Sequence, residues 1–308
     1  MKHKVLNAAI FIIALVLSAS VLPAQNVKHI SHDFSAFNSI DIDYDFDVRV
    51  VQSRNYSISV NVDDVLKDYV QTYVKNRTLY ISLDQKSLPS DVKKLYKGRR
   101  APTPVLEATV YMPDPLTSIK MAGGSKLSVD DNIECKEMFI EMKENARIEK
   151  LTVDAGSAEL VTNGKCFADL TIYADEIKLN ISGGSLIELE QDSEKLAIVT
   201  GGSAEVHTGG ETLNAELTTS GSSRVTMEGK TDKLSVTGSG SSFVDAVNLK
   251  TSDCTVKLSN SSKVYEAATE AVHIDLSGNS TLAFDGDPKI DIINVKSSTI
   301  QRYSNVKK

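Results

Sequence analysis

The second half of the chain repeats one pattern of apolar and polar positions. An alternating apolar segment leads into a Gly/Asn-Ser bend, and a second alternating segment follows before the next polar stretch. The pattern is clearest in LNISGGSLIEL from Leu179, LAIVTGGSAEV from Leu196, LTTSGSSRVTM from Leu217, LSVTGSGSSFV from Leu234, VKLSNSSKVY from Val256 and IDLSGNSTLAF from Ile274. Its serines recur at 185, 203, 222, 241, 261, 280 and 298, roughly 18–20 residues apart. A fixed period of this length predicts a solenoid in which each repeat forms one coil.

Alternation within each repeat predicts strands, because side chains with a period of two lie on opposite faces of a strand. The predicted fold is therefore all-β, a parallel β-helix with coils of about 18–20 residues over residues 116–308. Glycine and asparagine at the bends supply the positive φ that a corner requires. About ten coils, roughly 4.8 Å apart, would form a rod roughly 45–50 Å long. Residues 130–178 are less regular, and the pattern does not divide them into coils.

Residues 34–112 alternate as well, but without the repeated bend. From Ile40 to Val50, apolar residues alternate with mostly acidic ones and predict one strand with a single apolar face. Further strands are predicted at 56–62, 78–83 and 106–112. Asp63-Asp64 is a helix-start signal and predicts a short helical turn within 63–73. We expect these strands to join the sheet or cap its N-terminal end, because an open end is a template for aggregation.

Residues 85–104 interrupt the alternation and predict a basic insertion between two strands. Prolines and a glycine punctuate the stretch, and most of its charged side chains are positive. The clustered cations are Lys93, Lys94, Lys97, Arg99 and Arg100. Because the fold does not require them, they form the candidate binding site, with sulfated or carboxylated glycans or anionic envelope polymers as ligands. A solvated, mobile loop without a ligand is the alternative.

The N-terminal residues predict an export signal. Two lysines precede an apolar run from Ala8 to Leu17, and Leu22-Pro23-Ala24 provides a cleavage site. Such a run is too short to cross a bilayer, which takes about 20 residues. We therefore expect residues 1–24 to be a signal peptide, and residues 25–308 to be a single β-helix domain located in the periplasm, on the cell surface or outside the cell. No cysteine follows the signal, so a lipoprotein is not expected; an uncleaved N-terminal anchor is the alternative.

Composition restricts the classes of partner and of chemistry. The formal net charge of −7 argues against nucleic acid, because phosphate contacts demand a basic surface. The sequence predicts no catalytic, metal-binding or cofactor-binding residues. The acidic row Asp41, Asp43, Asp45 and Asp47 departs from an EF-hand, with Phe46 and Gln52 in place of its glycine and glutamate. It therefore predicts a solvated strand face that discourages edge pairing.

Three further acids and three cysteines leave alternatives open. Asp169, Asp175 and Glu176 are candidate acids for a carbohydrate-active lyase or hydrolase on a β-helix. The absence of Trp weakens that alternative, since sugar rings commonly stack on aromatic faces. Cys254 follows the inward pattern and predicts an inert, packed thiol. The spacing of Cys135 and Cys166 does not decide whether they form a disulfide.

Three segments resemble a known family. FNSIDIDYDFDVRVVQ, Phe37–Gln52, resembles the opening of the head GIN domain family, exported bacterial proteins labelled putative auto-transporter adhesins. NRTLYI from Asn76 resembles the family's next strand, and IDLSGNSTLAFDGDP from Ile274 resembles its closing repeat. The resemblance covers nearly all of the mature chain. It implies a right-handed β-helix with an adhesin-like role, and it brings no catalytic motif.

Together these features predict an exported, non-enzymatic, adhesin-like binding protein. Its expected partners are glycans or proteins of the envelope or of a host surface. The first alternative is a carbohydrate-active enzyme on the same scaffold, which product formation from a polysaccharide would reveal. The second is a structural envelope component with a protein partner, which pull-down from membranes would reveal. Function depends on local sites, and the repeat itself does not choose among these classes.

Overall fold

The described residues of the computed structural model, 26–305, form a parallel β-solenoid of about ten turns with coils of about 19 residues. Their strands belong to one 20-stranded sheet that winds around a continuous apolar core. The predicted all-β, parallel β-helix fold is confirmed. The predicted signal peptide, residues 1–24, lies outside the described residues.

The elements divide into an N-terminal group and the repeated coils. The N-terminal strands are β1 Val27–Asp33, β2 Ser39–Ile42, β3 Asp47–Gln52, β4 Ser57–Asp63, β5 Val70–Lys75, β6 Thr78–Leu83 and β7 Leu106–Met112. The coil strands are β8 Ser118–Met121, β9 Lys126–Val129, β10 Ile133–Glu144, β11 Arg147–Gly164, β12 Phe167–Gly183, β13 Leu186–Thr200, β14 Glu205–Thr219, β15 Arg224–Gly238, β16 Phe243–Leu258, β17 Lys263–Ser277, β18 Thr281–Phe284, β19 Lys289–Lys296 and β20 Thr299–Arg302. The helices are α1 Ser90–Leu95 and the 3-10 turns Lys67–Tyr69 and Tyr303–Asn305.

Inward-facing side chains stack in ladders along the rod. One ladder, read coil by coil, consists of Leu179, Ile198, Leu217, Val236, Val256 and Ile274. All of its members are almost completely buried. Burying one such aliphatic side chain contributes about 1.5–3 kcal/mol, so the stability of the core accumulates with each coil.

Glycine-rich corners connect the strands, and in four coils the buried corner position comes one residue after the recurring serine. The buried, stacked positions are Ser185, Ala204, Ser223, Ser242, Ser262 and Ser280. The serine one residue before the buried position is exposed at Ser203, Ser222, Ser241 and Ser261. The backbone of these exposed serines bonds to the preceding coil; for example, the N–H of Ser222 donates to the carbonyl of Gly202 at 2.7 Å. The next residue, Ser223, is buried.

The N-terminal strands close one end of the rod, as predicted. β2 lies between β6 and β8, and β3 lies between β7 and β9, all in parallel. Antiparallel strands complete this end, with β5 on β6, β4 on β7 and β1 on β4. The first described strand, β1, lies before residue 34, where the sequence pattern placed the first strand.

Two local predictions in this region need correction. The alternating segment from Ile40 to Val50 is two strands, because Tyr44 adopts φ 73° and forms a corner between β2 and β3. The helical turn predicted within 63–73 is present at Lys67–Tyr69, but the chain then continues as β5. β5 and β6 form a hairpin whose turn residues, Asn76 and Arg77, both have positive φ.

Residues 130–178 form ordinary coils, although their sequence lacks the Gly-Ser phrase. β10, β11 and β12 pair in parallel with their neighbours like the later strands. At one corner, Glu144 adopts φ 60° where other coils have glycine or asparagine. Ala146 at this corner and Cys166 at the corner of the next coil are buried, as the small residues of the later corners are. These replacements hide the repeat from a search for Gly and Ser.

Candidate functional site

The basic insertion replaces one corner of the solenoid. β2 and β3 are joined by four residues, 43–46, and β8 and β9 by four residues, 122–125. β6 and β7 pair with β2 and β3 one level nearer the N-terminal end, yet 22 residues, 84–105, connect them. We call residues 84–105 the basic loop. It emerges at a corner of the rod's closed end.

The base of the basic loop is packed against the core. Leu88 is 8% exposed, and Val92 and Tyr96, each four residues further on, are partly buried against the same core. The Tyr96 hydroxyl donates to Oδ2 of buried Asp63 at 2.8 Å, and the N–H of Val105 donates to the same oxygen at 3.2 Å. Burial, followed by the bond to Asp63, raises the pKa of Tyr96 well above its usual value. Asp63 therefore holds both sides of the loop.

The entrance to the basic loop is also ordered by hydrogen bonds. Asp84 accepts the backbone N–H groups of Lys86 and Ser87 and the Ser87 hydroxyl, the last at 2.6 Å. These donors lower the pKa of the Asp84 carboxyl. The carboxylate thus fixes the turn that leads from β6 towards α1.

The predicted cations lie together at this tip. Lys93 and Lys94 belong to the last turn of α1, and Lys97, Arg99 and Arg100 follow it. All of them are exposed, and none takes part in an ion pair with another described residue. Because no carboxylate neutralises them, their N–H groups face solvent and can donate to an external anion.

The acidic row is not a strand face, so that prediction is wrong. Asp41 lies on β2 and Asp47 on β3, with the corner at Tyr44 between them. Asp43 accepts the N–H of Tyr44 at 2.7 Å, and Asp45 accepts the N–H of Gly124 at 3.0 Å. The row therefore supports a corner within the stack instead of protecting an edge. Among residues 26–305, no group of three or more His, Cys, Asp or Glu side chains is arranged to hold a metal ion.

The three candidate catalytic acids are not brought together. Asp169 lines one shallow groove, Asp175 a second and Glu176 a third. Glu176 is also paired with Lys178 at 3.2 Å. A glycosidase places two carboxyl groups on either side of one bond, and none of these three grooves is lined by two of the candidate acids.

The groove at Asp175 is acidic, a feature that the sequence analysis missed. Its charged lining consists of Asp154, Asp175, Asp192, Glu194, Glu211, Asp232 and Lys230. They come from five successive coil strands, β11 to β15, and only the pairing register shows that they share one surface. This groove on the body of the rod thus presents negative charge, opposite in sign to the basic loop.

All three cysteines are free thiols, so Cys135 and Cys166 do not form a disulfide in this structure. Cys166 is buried at a corner, and Cys135 is partly exposed on β10. Cys254 is fully buried, as its inward position predicts, and burial raises the pKa of its thiol strongly. A thiol kept protonated in this way packs as a small apolar group.

Solved structures are similar to this chain over most of their length. A putative adhesin from Parabacteroides distasonis is 17% identical, with TM-score 0.48, and the match covers 91% of this chain and 98% of that one. A putative lipid binding protein from the same species is 17% identical, with TM-score 0.46 and coverage of 91% and 97%. A putative adhesin from Parabacteroides merdae is 14% identical, with TM-score 0.44 and coverage of 90% and 95%. No curated protein matches the sequence.

A family model gives the closer assignment. The model described as putative auto-transporter adhesin, head GIN domain, matches residues 36–191 and again residues 168–288. Together these matches include β2 to β18 and the basic loop. No helix among the described residues has the length and apolar character needed to cross a membrane. The chain belongs to the head GIN domain family of putative auto-transporter adhesins.

Proposed function

We propose that this chain is an exported, non-enzymatic binding protein that attaches to polyanionic polymers through the tip of the basic loop. The observation that carries this proposal is the contrast between the base and the tip of the loop. Leu88, Val92 and Tyr96 fix the base against the core, whereas the cations at the tip have no acidic partner among the described residues. A packed base reduces the entropy that would be lost when the loop binds.

Charge chemistry selects the class of ligand. Residues 85–104 contain six cations and one carboxylate, Asp91, in a chain with a formal charge of −7. Arg99 and Arg100 can each form paired hydrogen bonds with a sulfate or carboxylate, and the lysines add point charges. Sulfated or carboxylated glycans and anionic envelope polymers repeat such groups along their length. Several weak contacts then add without an enclosed pocket.

The test measures polysaccharide binding by protein of residues 25–308, which contains every described strand. The ligands are a sulfated polysaccharide, a carboxylated one and neutral dextran, each at low and at physiological salt. In the loop variant, Lys93, Lys94, Lys97, Arg99 and Arg100 are all changed to Ser. The matched control changes Lys230, Lys233, Lys250, Lys257 and Lys263, which are exposed on the body of the rod, to Ser and alters the net charge equally.

We expect the wild type and the control to bind one or both anionic polymers, more weakly at higher salt because screening acts on exposed charges. The loop variant should lose this binding. Equal loss in both variants would show a general charge effect and overturn the site. If the wild type binds neither anionic polymer, the proposed ligand class is overturned. If a polymer becomes shorter during incubation, the non-enzymatic assignment is contradicted.

A further inference from the structure

At the C-terminal end of the described rod, no described strand covers the last coil. Every residue of β19 is exposed, including Ile290 at 40%, Ile292 at 58% and Val295 at 40%. On the neighbouring strand β17, the residues that pair with these three side chains are Val272, Ile274 and Leu276, and all three are completely buried. The three side chains of β19 therefore face inward, and they are exposed because no described strand lies on the other side of β19.

The two ends of the rod differ in kind. Antiparallel strands β1, β4 and β5 and the basic loop cover the N-terminal end, as described above. A second copy placed head to tail would therefore have to set an antiparallel strand, β1 or β5, on β19 and could not continue the parallel winding of the rod. A second copy can, however, present its own β19, which carries the same open backbone edge and the same apolar side chains. Such a contact is isologous, and it closes after two copies.

We propose that two copies of this chain join end to end through antiparallel pairing of β19 with β19, in the register centred between Ile293 and Asn294. In this register Ile292 of each copy lies opposite Val295 of the other. Both are inward-facing, so the apolar core becomes continuous across the two-fold axis. Apolar pairs of this kind stabilise neighbouring strands, and their burial also removes apolar surface from water.

Charge complementarity supports the same register. Asp291 of each copy lies opposite Lys296 of the other, and both follow outward-facing residues of β17, His273 and Ser277. The two-fold axis makes this pair occur twice. Ile293 is the extra residue of a β-bulge in β19, because it has no partner on β17. In the proposed register the bulges of the two copies lie side by side at the two-fold axis. Every residue of one β19 then has a partner on the other.

The neighbouring antiparallel register is disfavoured by like charges. A shift of the axis to between Ile292 and Ile293 places Lys289 of each copy opposite Lys296 of the other. Like charges directly opposite on paired strands are destabilising. In the favoured register Lys289 instead lies opposite Ser298. This difference makes Lys289 a control within the same strand for the role of Lys296.

The test measures self-association of residues 25–308 by sedimentation, without polysaccharide, so that it is independent of the proposed ligand. The wild type should be a dimer. Asp291→Lys and Lys296→Asp should each weaken dimerisation by about tenfold, because each change replaces two attractive pairs by two repulsive ones. The double variant Asp291→Lys/Lys296→Asp should recover the dimer. Lys289→Asp should dimerise like the wild type.

Thermal unfolding of each variant, monitored by circular dichroism, checks that the substitution has not disrupted the fold. Ile292→Glu adds a variant that should abolish the dimer in any register, because it places a charge in the shared core. A wild type that stays monomeric at high micromolar concentration overturns the interface. A dimer that the double variant does not recover, or that Lys289→Asp weakens as much as Lys296→Asp does, overturns the register and with it the proposal.

Discussion

Glu266 places a carboxyl group inside the apolar core of the last coils. The residue is completely buried, between Ala246 and Phe284 in the register of neighbouring strands. One carboxyl oxygen accepts the N–H of Ala268 at 2.7 Å, and the other, Oε1, has no hydrogen-bond partner among the described residues. Burial raises the pKa of Glu266 from 4.5 to about 7. The small side chain of Ala246 in the adjacent coil leaves space for this group.

This burial predicts a stability change with pH. The folded pKa of Glu266 is above the unfolded value of 4.5, so the folded state binds the proton more tightly. The tighter binding of this proton stabilises the folded state fully below pH 4.5. The stabilisation amounts to about 3 kcal/mol, and it is lost as the pH rises through about 7. Glu266→Gln keeps the shape without the charge. The variant should become more stable than the wild type as the pH rises from 5 to 8 in urea unfolding.

The control for this prediction is Glu270→Gln, which changes an exposed glutamate on the same strand. Its stability relative to the wild type should stay nearly constant over the same pH range. If the advantage of Glu266→Gln is equally constant between pH 5 and 8, Glu266 does not titrate in the way its burial predicts.

Gly240 gives a second prediction for a single residue. It has φ 70°, and a Cβ there would lie 2.8 Å from the carbonyl oxygen of Gly221 in the preceding coil. Gly240→Ala should lower the free energy of unfolding by about 1–3 kcal/mol, through backbone strain and loss of close stacking. Gly201→Ala is the control, because the nearest atom to its added Cβ would be the Ser220 hydroxyl oxygen at 3.5 Å. Equal effects of both substitutions in urea titrations would argue against a corner-specific role.

At the scale of elements, the basic loop depends on the contact between Tyr96 and Asp63. Tyr96→Phe removes one donor to a carboxylate that is 3% exposed, at a cost of about 1–3 kcal/mol. The loop should then open more often, because its base is held less tightly. Limited digestion with trypsin should cleave the variant faster than the wild type after the cations at the loop tip.

The control for the loop is Tyr73→Phe, on β5, where the tyrosine ring stacks on Tyr80 and is 45% exposed. It should leave the cleavage rate in the basic loop unchanged. If the wild-type loop is cleaved as fast as that of Tyr96→Phe, the loop is mobile in solution and its base is not held by this contact.

The elements that sequence could predict are those with a strong period. Alternation identified the coils and most N-terminal strands, because one buried face imposes a period of two. It could not identify the corner at Tyr44, since alternation continues through it and only the positive φ marks the turn. It also missed α1, because six helical residues are too few to show a helical period. The coils around Glu144 lacked the glycine signal altogether.

At the scale of the whole molecule, the position of the basic loop could not be read from the sequence. The insertion itself was visible from its prolines and cations, but its attachment to Asp63 depends on β4, more than twenty residues earlier in the chain. The acidic groove likewise requires the register of five strands. Sequence thus located the charged residues, whereas the distances that make them a surface come from the winding of the coils.

The asymmetry between the closed and open ends also has a consequence for biogenesis. All strands of the closed end lie within residues 27–129, and each coil strand from β11 to β16 pairs in parallel with the coil before it and with the coil after it. A chain delivered N-terminus first, from a ribosome or a translocation channel, can therefore complete its cap before the repeats emerge. Each new coil can then pair with a coil that is already folded. Only the strand edge of the last folded coil remains open to aggregation until synthesis or transport ends.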